Sequence, residues 1–129
     1  MSDILIPISP GELLDKLTIL QIKSENITDA AKLANVDVEH TALQAIADTQ
    51  IPKTQELQSL SAALRDVNKR LWAIEDDIRA CERENNFGEQ FIRLARAVYA
   101  TNDKRAELKK QINLAMGSKL VEEKSYTDY

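Results

Sequence analysis

The chain has few of the residues on which metal sites and phosphate-binding loops depend. It contains one cysteine, Cys81, and one histidine, His40. One of each is too few for a zinc cluster, and a lone cysteine forms no internal disulfide, which suits a reducing compartment. Three scattered glycines, at positions 11, 88 and 117, do not make a glycine-rich phosphate loop. The sequence therefore predicts no cofactor and no metal, and it places His40 on the solvent side.

Excess basic charge and long apolar runs are also absent. The chain contains 17 Lys and Arg residues and 21 Asp and Glu residues. The resulting net charge of −4 argues against a nucleic-acid partner. No apolar run is long enough to span a bilayer, so we expect no membrane insertion. The N-terminus lacks the basic and apolar regions of a signal peptide. These features are typical of a cytoplasmic protein.

What the chain does contain is aliphatic helix-forming sequence. It has 129 residues, of which 43% are hydrophobic but only 5% aromatic, so the core must be built from Leu, Ile, Val and Ala. This length predicts a single domain, 1–129, that buries about two-thirds of the surface of its unfolded chain without a disulfide or metal.

The first two helices differ in how clearly they are marked. Ser9, Pro10 and Glu12 form a capping box that starts a helix running from Pro10 to about Glu25. Residues 26–36 are ambiguous and predict an irregular stretch or a short helical turn. Asp37 is the expected cap of a second helix over about 38–48.

The third and fourth helices are predicted to be long. An apolar seam with a 3.5-residue period predicts one helix over about 53–84, formed by Leu57, Leu60, Leu64, Val67, Leu71, Ile74, Ile78 and Cys81. The last helix should run over about 89–116 and end at Gly117. Polar residues 101–103 interrupt its apolar stripe, which indicates a polar pocket, a kink or a restart.

These elements predict an all-α fold, an antiparallel helical bundle built around a long two-helix hairpin. The coiled-coil-like seam serves the internal hairpin, a homodimer, or both. Residues 3–8 form a short extended N-terminal lead-in and residues 118–129 a C-terminal tail. The two are expected to pair as a minor strand element.

The only tryptophan, Trp72, falls on the polar side of the third helix. Arg65 and Arg79 share its column and Asp76 follows one turn later. One interpretation is a platform on which a base or sugar ring stacks. The other, which we favour from sequence, is a core residue covered by a third helix and by arginine stems, since a bundle needs a second apolar face.

A second polar cluster follows on the last helix, where two arginines and a tyrosine could hold an anionic group. The alternative is a solvated face with local ion pairs, or pairing with Glu75, Asp76 and Glu82 on the third helix. The full candidate ligand-binding set, with no catalytic residue assigned, is Trp72, Glu75, Asp76, Arg79, Arg93, Arg96, Tyr99, Asn102 and Asp103. Residues that could complete such a pocket are Glu12, Lys16, Lys23, Glu122, Glu123, Lys124 and Tyr126.

Three stretches resemble a family of small bacterial proteins of unknown function. They are residues 8–20 (with Ser-Pro-Gly-Glu-Leu-Leu-Asp-Lys-Leu-Thr), residues 71–103 (from Leu-Trp-Ala-Ile-Glu-Asp to Tyr-Ala-Thr-Asn-Asp) and residues 120–126 (Leu-Val-Glu-Glu-Lys-Ser-Tyr). Residues 26–56 match least. Members of that family tend to be encoded beside genes for surface-polysaccharide and lipopolysaccharide assembly. The resemblance implies a bacterial cytosolic protein with a loose link to glycan synthesis, and no mechanism.

Two functional hypotheses follow. The first is an interaction or accessory protein, linked to surface-glycan assembly, with a protein partner or a second copy of itself. The second is a binder of, or enzyme acting on, an anionic small molecule such as a nucleotide sugar. The second hypothesis requires the candidate residues to converge between the third and fourth helices.

Overall fold

A computed structural model describes residues 2–129 and contains four α-helices in this part of the chain. They are α1 (Pro10–Asn26), α2 (Ala30–Gln50), α3 (Gln55–Arg83) and α4 (Glu89–Ala115). No strand forms within residues 2–129, so the predicted all-α bundle is confirmed. None of these helices combines the length and the apolarity that crossing a bilayer requires.

Helix α1 begins where the sequence predicts, because its cap is encoded locally. The Ser9 hydroxyl accepts a hydrogen bond from the backbone N–H of Glu12 at 3.2 Å, and Pro10 occupies the first helical position. Leu13, Leu14 and Leu17 lie on its buried face and contribute to the main core. Helix α1 packs against each of the other three helices and is therefore central to the fold.

Helix α2 is longer than the sequence predicts. It is capped by Asp29, whose carboxylate accepts a hydrogen bond from the Lys32 N–H at 2.9 Å, and it already includes residues 30–36 and Asp37. The prediction failed because the apolar pattern of α2 is weak. Val36 and Ala47 are its only buried residues, since α2 packs along α1 alone.

Helices α3 and α4 form the predicted hairpin. All eight seam residues of α3 are buried or half-buried, and Leu64 is completely buried. Asn85, with a φ of 54°, and Gly88 lie in the turn between the two helices. Helix α4 runs without interruption through residues 101–103, so the restart considered above does not occur.

The lead-in and tail do not pair as strands, and that prediction was wrong. A lone two-stranded element is marginal in water, and residues 2–7 are exposed. The tail is instead held by side chains of α4. Lys109 Nζ lies 2.9 Å from a carboxylate oxygen of Glu122, and the Tyr129 hydroxyl donates to Asp103 Oδ2 at 2.7 Å. The Tyr129 ring packs edge-on against Tyr99.

The end of α4 follows the predicted C-cap. Gly117 adopts a φ of +62°, and the next N–H, that of Ser118, donates to the carbonyl of Asn113 at 2.9 Å. This left-handed glycine followed by a return hydrogen bond satisfies a carbonyl that the helix would otherwise leave free. It also redirects the chain so that the tail can return along α4.

Candidate functional site

A row of polar side chains on α4 faces α1 and lies between the two helices. Its members are four residues apart and therefore share one face of the helix: Thr101, Arg105, Lys109 and Asn113. On α1 the residues that bond to this row are Gly11, Glu12 and Asp15. We call this contact the polar seam. It lies beside the apolar core, in which Leu13, Leu14 and Leu17 of α1 cluster with Ile112 of α4.

Asp15 is the centre of the polar seam. Only 1% of it is exposed, and its two carboxylate oxygens accept hydrogen bonds from Arg105 Nε and Nη2 at 2.9 and 2.5 Å. The amide nitrogen of Asn68, on α3, donates to Asp15 Oδ1 and to Thr18 Oγ1, each at 2.9 Å. The hydrogen bonds that Arg105 donates to Asp15 raise the pKa of Arg105 further above its ordinary value, against the effect of burial. Three helices are joined through this one carboxylate.

Lys109 forms a second charged group at the N-terminal end of α1. Its ammonium lies 2.8 Å from a carboxylate oxygen of Glu12 and 2.9 Å from one of Glu122 in the tail. Burial acts to lower the pKa of Lys109, but the hydrogen bonds to both carboxylates outweigh burial and raise it. The hydrogen bond from Lys109 lowers the pKa of Glu122. The tail is thus tied to the α1–α4 contact by a charge-assisted interaction.

The two helices approach most closely at Gly11. Its N–H donates to Asn113 Oδ1 at 2.7 Å. A Cβ at this position would lie 2.5 Å from the backbone carbonyl oxygen of Lys109 and 2.9 Å from Asn113 Oδ1. No side chain fits there without moving a helix, so Gly11 sets the spacing between α1 and α4.

A cleft opens beside the polar seam, between α1, α3 and α4. It has a volume of about 410 Å³, within the range of small-molecule sites. Trp72 is half-buried and forms part of its wall, and Asn68 and Arg105 bring the Asp15 network to its surface. We call it the tryptophan cleft. Its lining residues are Ile19, Ile22, Asn68, Leu71, Trp72, Glu75, Asp76, Arg79, Asn102 and Arg105.

The cleft brings together five of the nine candidate residues: Trp72, Glu75, Asp76, Arg79 and Asn102. The other four lie elsewhere. Arg93 and Arg96 are exposed and do not line it, and Tyr99 and Asp103 line a separate cleft between α4 and the tail. The candidate residues that line the cleft are thus four residues of α3 and one residue of α4, Asn102.

The accessory candidates divide in the same way. Glu12 and Glu122 hold Lys109 in the polar seam, and Lys16 lies 3.8 Å from Glu12. Lys23 is half-buried on α1 but does not line the tryptophan cleft. Three tail residues, Glu123, Lys124 and Tyr126, line the cleft between the tail and α4.

Two further expectations concern individual side chains. Arg65 does not line the tryptophan cleft and instead pairs with Glu25 at the end of α1. His40 is not on the solvent side as predicted. It is half-buried in a groove that residues of α1, α2 and the start of α3 line.

The charges at the tryptophan cleft are mostly paired. Arg105 is held by Asp15, and Arg79 Nε lies 3.3 Å from Glu75 one turn away. Asp76 makes no salt bridge among residues 2–129. In that part of the chain, no three His, Cys, Asp or Glu side chains cluster in a way that would hold a metal ion.

The buried members of this site were missed by sequence reasoning. The sequence pattern predicts neither a core position nor a site position for Asp15, Asn68, Arg105 and Lys109. The available signal was the four-residue spacing of Arg105, Lys109 and Asn113 along α4, matched by Gly11 and Asp15 along α1. This spacing alone does not predict burial, because charged residues are seldom buried.

The chain belongs to the family of unknown function DUF6165, whose model matches residues 4–129. The match covers nearly the whole chain, including all four helices and the tail. No curated protein and no solved structure matches the chain.

Proposed function

For this member of a family of unknown function, we propose that the tryptophan cleft binds a small molecule. The observation that carries the proposal is the position of Trp72, half-buried in the wall of a cleft of about 410 Å³ beside a buried hydrogen-bonded network. An aromatic face beside a few fixed polar groups is the usual composition of a ligand site. The proposal concerns binding and assigns no reaction.

The core interpretation of Trp72 is weaker in this setting. A tryptophan that served only as a core residue would be covered by a neighbouring helix. Within residues 2–129, the helices that pack against α3 are α1 and α4. Ile19 and Ile22 of α1 contact the cleft but leave it open. Part of Trp72 is consequently available in the cleft to a flat or apolar group.

The polar groups of the cleft are held in place before any ligand arrives. Asn68 and Arg105 are both bonded to Asp15, which is buried on α1. Side chains fixed by such a network lose little further freedom when a ligand binds, which lowers the entropic cost of binding.

The protein carries its own reporter, since Trp72 is its only tryptophan. We would titrate the protein with nucleotides, nucleotide sugars, sugar phosphates, neutral sugars and organic cations, and follow tryptophan fluorescence and thermal unfolding. A ligand present at 100 times its Kd should add about 2.7 kcal/mol to the free energy of unfolding.

The control compares two aromatic substitutions. Trp72→Leu should abolish the thermal shift given by any hit, whereas Phe87→Leu, in the exposed α3–α4 turn, should leave it unchanged. If no compound changes the fluorescence, or if Trp72→Leu keeps the full thermal shift of a hit, the cleft is not the binding site.

A second candidate function is that of an accessory protein with a macromolecular partner. In its favour, two large apolar side chains are exposed at the turn that joins α3 to α4. Phe87 is 50% exposed and Ile92 is 53% exposed. This second proposal includes three expectations from the sequence: a link to bacterial surface-glycan assembly, a cytoplasmic location and self-association. If the protein self-associates, the wild type should be a dimer and Ile92→Glu a monomer. Light scattering of both proteins tests this.

A further inference from the structure

We infer that the ligand of the tryptophan cleft is an organic cation, with an ammonium or guanidinium group seated against Trp72 and Asp76. The inference rests on the proposed function and adds the chemical class of the ligand. Trp72 and Asp76 are four residues apart on α3, so they are neighbours on one face of the helix, and both line the cleft.

Charge in and beneath the cleft favours a cation. Two guanidinium groups, those of Arg79 and Arg105, are accompanied by three carboxylates, those of Asp15, Glu75 and Asp76. Both arginines already have a carboxylate partner. The carboxylate of Asp76 has none among residues 2–129, so one negative charge is left to attract a ligand.

An anion would have to compete with these partners. Arg105 is held by both oxygens of Asp15, which is only 1% exposed and would be left in the interior without its main counter-charge. Arg79 is more available, with 79% of its side chain exposed. Its guanidinium, however, is flanked by Glu75 and is one turn from Asp76, and both carboxylates would repel an anion.

The hydrogen-bonding groups of Asn68 point to the same class. Its amide nitrogen donates both of its hydrogens within the protein, one to Asp15 and one to Thr18. The Thr18 hydroxyl in turn donates to the Asp15 carbonyl at 2.8 Å, so it must accept from Asn68, which fixes the orientation of the amide. Asn68 can therefore offer a ligand only its carbonyl oxygen, an acceptor that suits N–H donors.

The tryptophan completes the recognition of a cation. The face of an indole ring attracts ammonium and guanidinium groups electrostatically, and Trp is the best of the aromatic side chains in this respect. The chain as a whole carries a net charge of −4, which favours the approach of cations. A ring, a free carboxylate and an acceptor amide thus line one cleft.

The test uses a pair of probes that differ in charge and hardly in shape. Choline and its neutral isostere 3,3-dimethyl-1-butanol would be titrated into the protein at low ionic strength, with tryptophan fluorescence as the readout. Agmatine and a nucleotide sugar, UDP-glucose, complete the set as a guanidinium and an anion. We expect choline to bind about fivefold more tightly than its isostere, and we expect added salt to weaken the binding of choline but not that of its isostere.

Matched variants locate the charge that matters. Asp76→Asn should weaken choline binding by about three- to fivefold. Asp77→Asn makes the same change in net charge on an exposed neighbour that does not line the cleft, and should have no effect. Trp72→Leu should remove the thermal shift given by choline or agmatine.

The outcomes separate this inference from the proposed function. Preference for choline over its isostere, lost in Asp76→Asn only, supports both. Equal or tighter binding of the isostere or of UDP-glucose keeps the cleft as a binding site and overturns the cationic assignment. An equal loss in Asp76→Asn and Asp77→Asn also overturns it, because the effect would then be one of net charge. No response to choline or agmatine overturns the cationic assignment, whereas the proposed function falls only if every compound of the wider panel also gives no response.

Discussion

The buried pair of Asp15 and Arg105 leads to an asymmetric prediction: removing the arginine costs more than neutralising the aspartate. Asp15 is 1% exposed, whereas the Arg105 side chain is 30% exposed. In Arg105→Met the Asp15 carboxylate stays in the interior with Asn68 as its remaining side-chain donor. In Asp15→Asn the guanidinium can turn toward the open tryptophan cleft and reach water.

The expected magnitudes follow from these exposures. An unpaired buried charge destabilises a protein by about 3–5 kcal/mol, so Arg105→Met should lose this amount. Asp15→Asn removes charge-assisted hydrogen bonds but leaves no carboxylate unpaired, and should lose about 2 kcal/mol. For a chain of this size a loss of about 3 kcal/mol lowers Tm by roughly 10 °C.

The assay is chemical denaturation of the single and double variants at neutral pH. The double variant Asp15→Leu/Arg105→Met should be more stable than Arg105→Met alone, since apolar residues then replace both charges. Exposed Asp66 and Arg83 supply the control substitutions, Asp66→Asn and Arg83→Met, which should change stability by less than about 0.5 kcal/mol. The reasoning fails if Arg105→Met costs less than Asp15→Asn.

Three other predictions concern the packing around the polar seam. Gly11→Ala should lower Tm strongly, because a Cβ would lie 2.5 Å from a backbone oxygen, whereas Gly88→Ala, with no atom closer than 3.5 Å, should be tolerated; thermal melts compare them. Leu64→Ala should cost about 2–5 kcal/mol in chemical denaturation, because Leu64 is completely buried. Lys109 lowers the pKa of Glu122, so this contact contributes stability above the ordinary value of 4.5 and loses it as pH falls through the lower folded pKa. Wild type and Glu122→Gln should therefore differ in Tm at pH 7 and converge in strong acid, and a constant difference would contradict the contact.

The helices could be predicted wherever the local sequence encodes them. The cap at Ser9 and Pro10, the eight-residue seam of α3 and the stop at Gly117 depend on short-range geometry, and each appears in the structure. Helix α2 was shortened in prediction because it contacts only α1 and buries two residues, so its sequence carries almost no amphipathic pattern. Hydrophobic periodicity arises because one face of a helix is buried, so a helix with few buried residues shows little periodicity.

The candidate site was only partly predictable for a different reason. Trp72, Glu75, Asp76 and Arg79 lie on one helix, and helical spacing alone groups them. Arg105 and Asp15 are separated by 90 residues, and only the packing of α1 on α4 brings them together. Without that packing, each is one charged residue among many, and nothing local distinguishes a buried charge from a solvated one.

The polar seam accounts for the order of these elements around the cleft. Apolar contacts between two helices tolerate sliding, whereas the hydrogen bonds from Gly11 to Asn113 and from Arg105 to Asp15 form in one register only. That register fixes α1 against α4, and Asn68 then fixes α3 against both. Because a buried ion pair contributes little net stability compared with apolar packing, we infer that its value here is positional. It holds Asn68 and Arg105 at the edge of the tryptophan cleft, where a ligand would meet them.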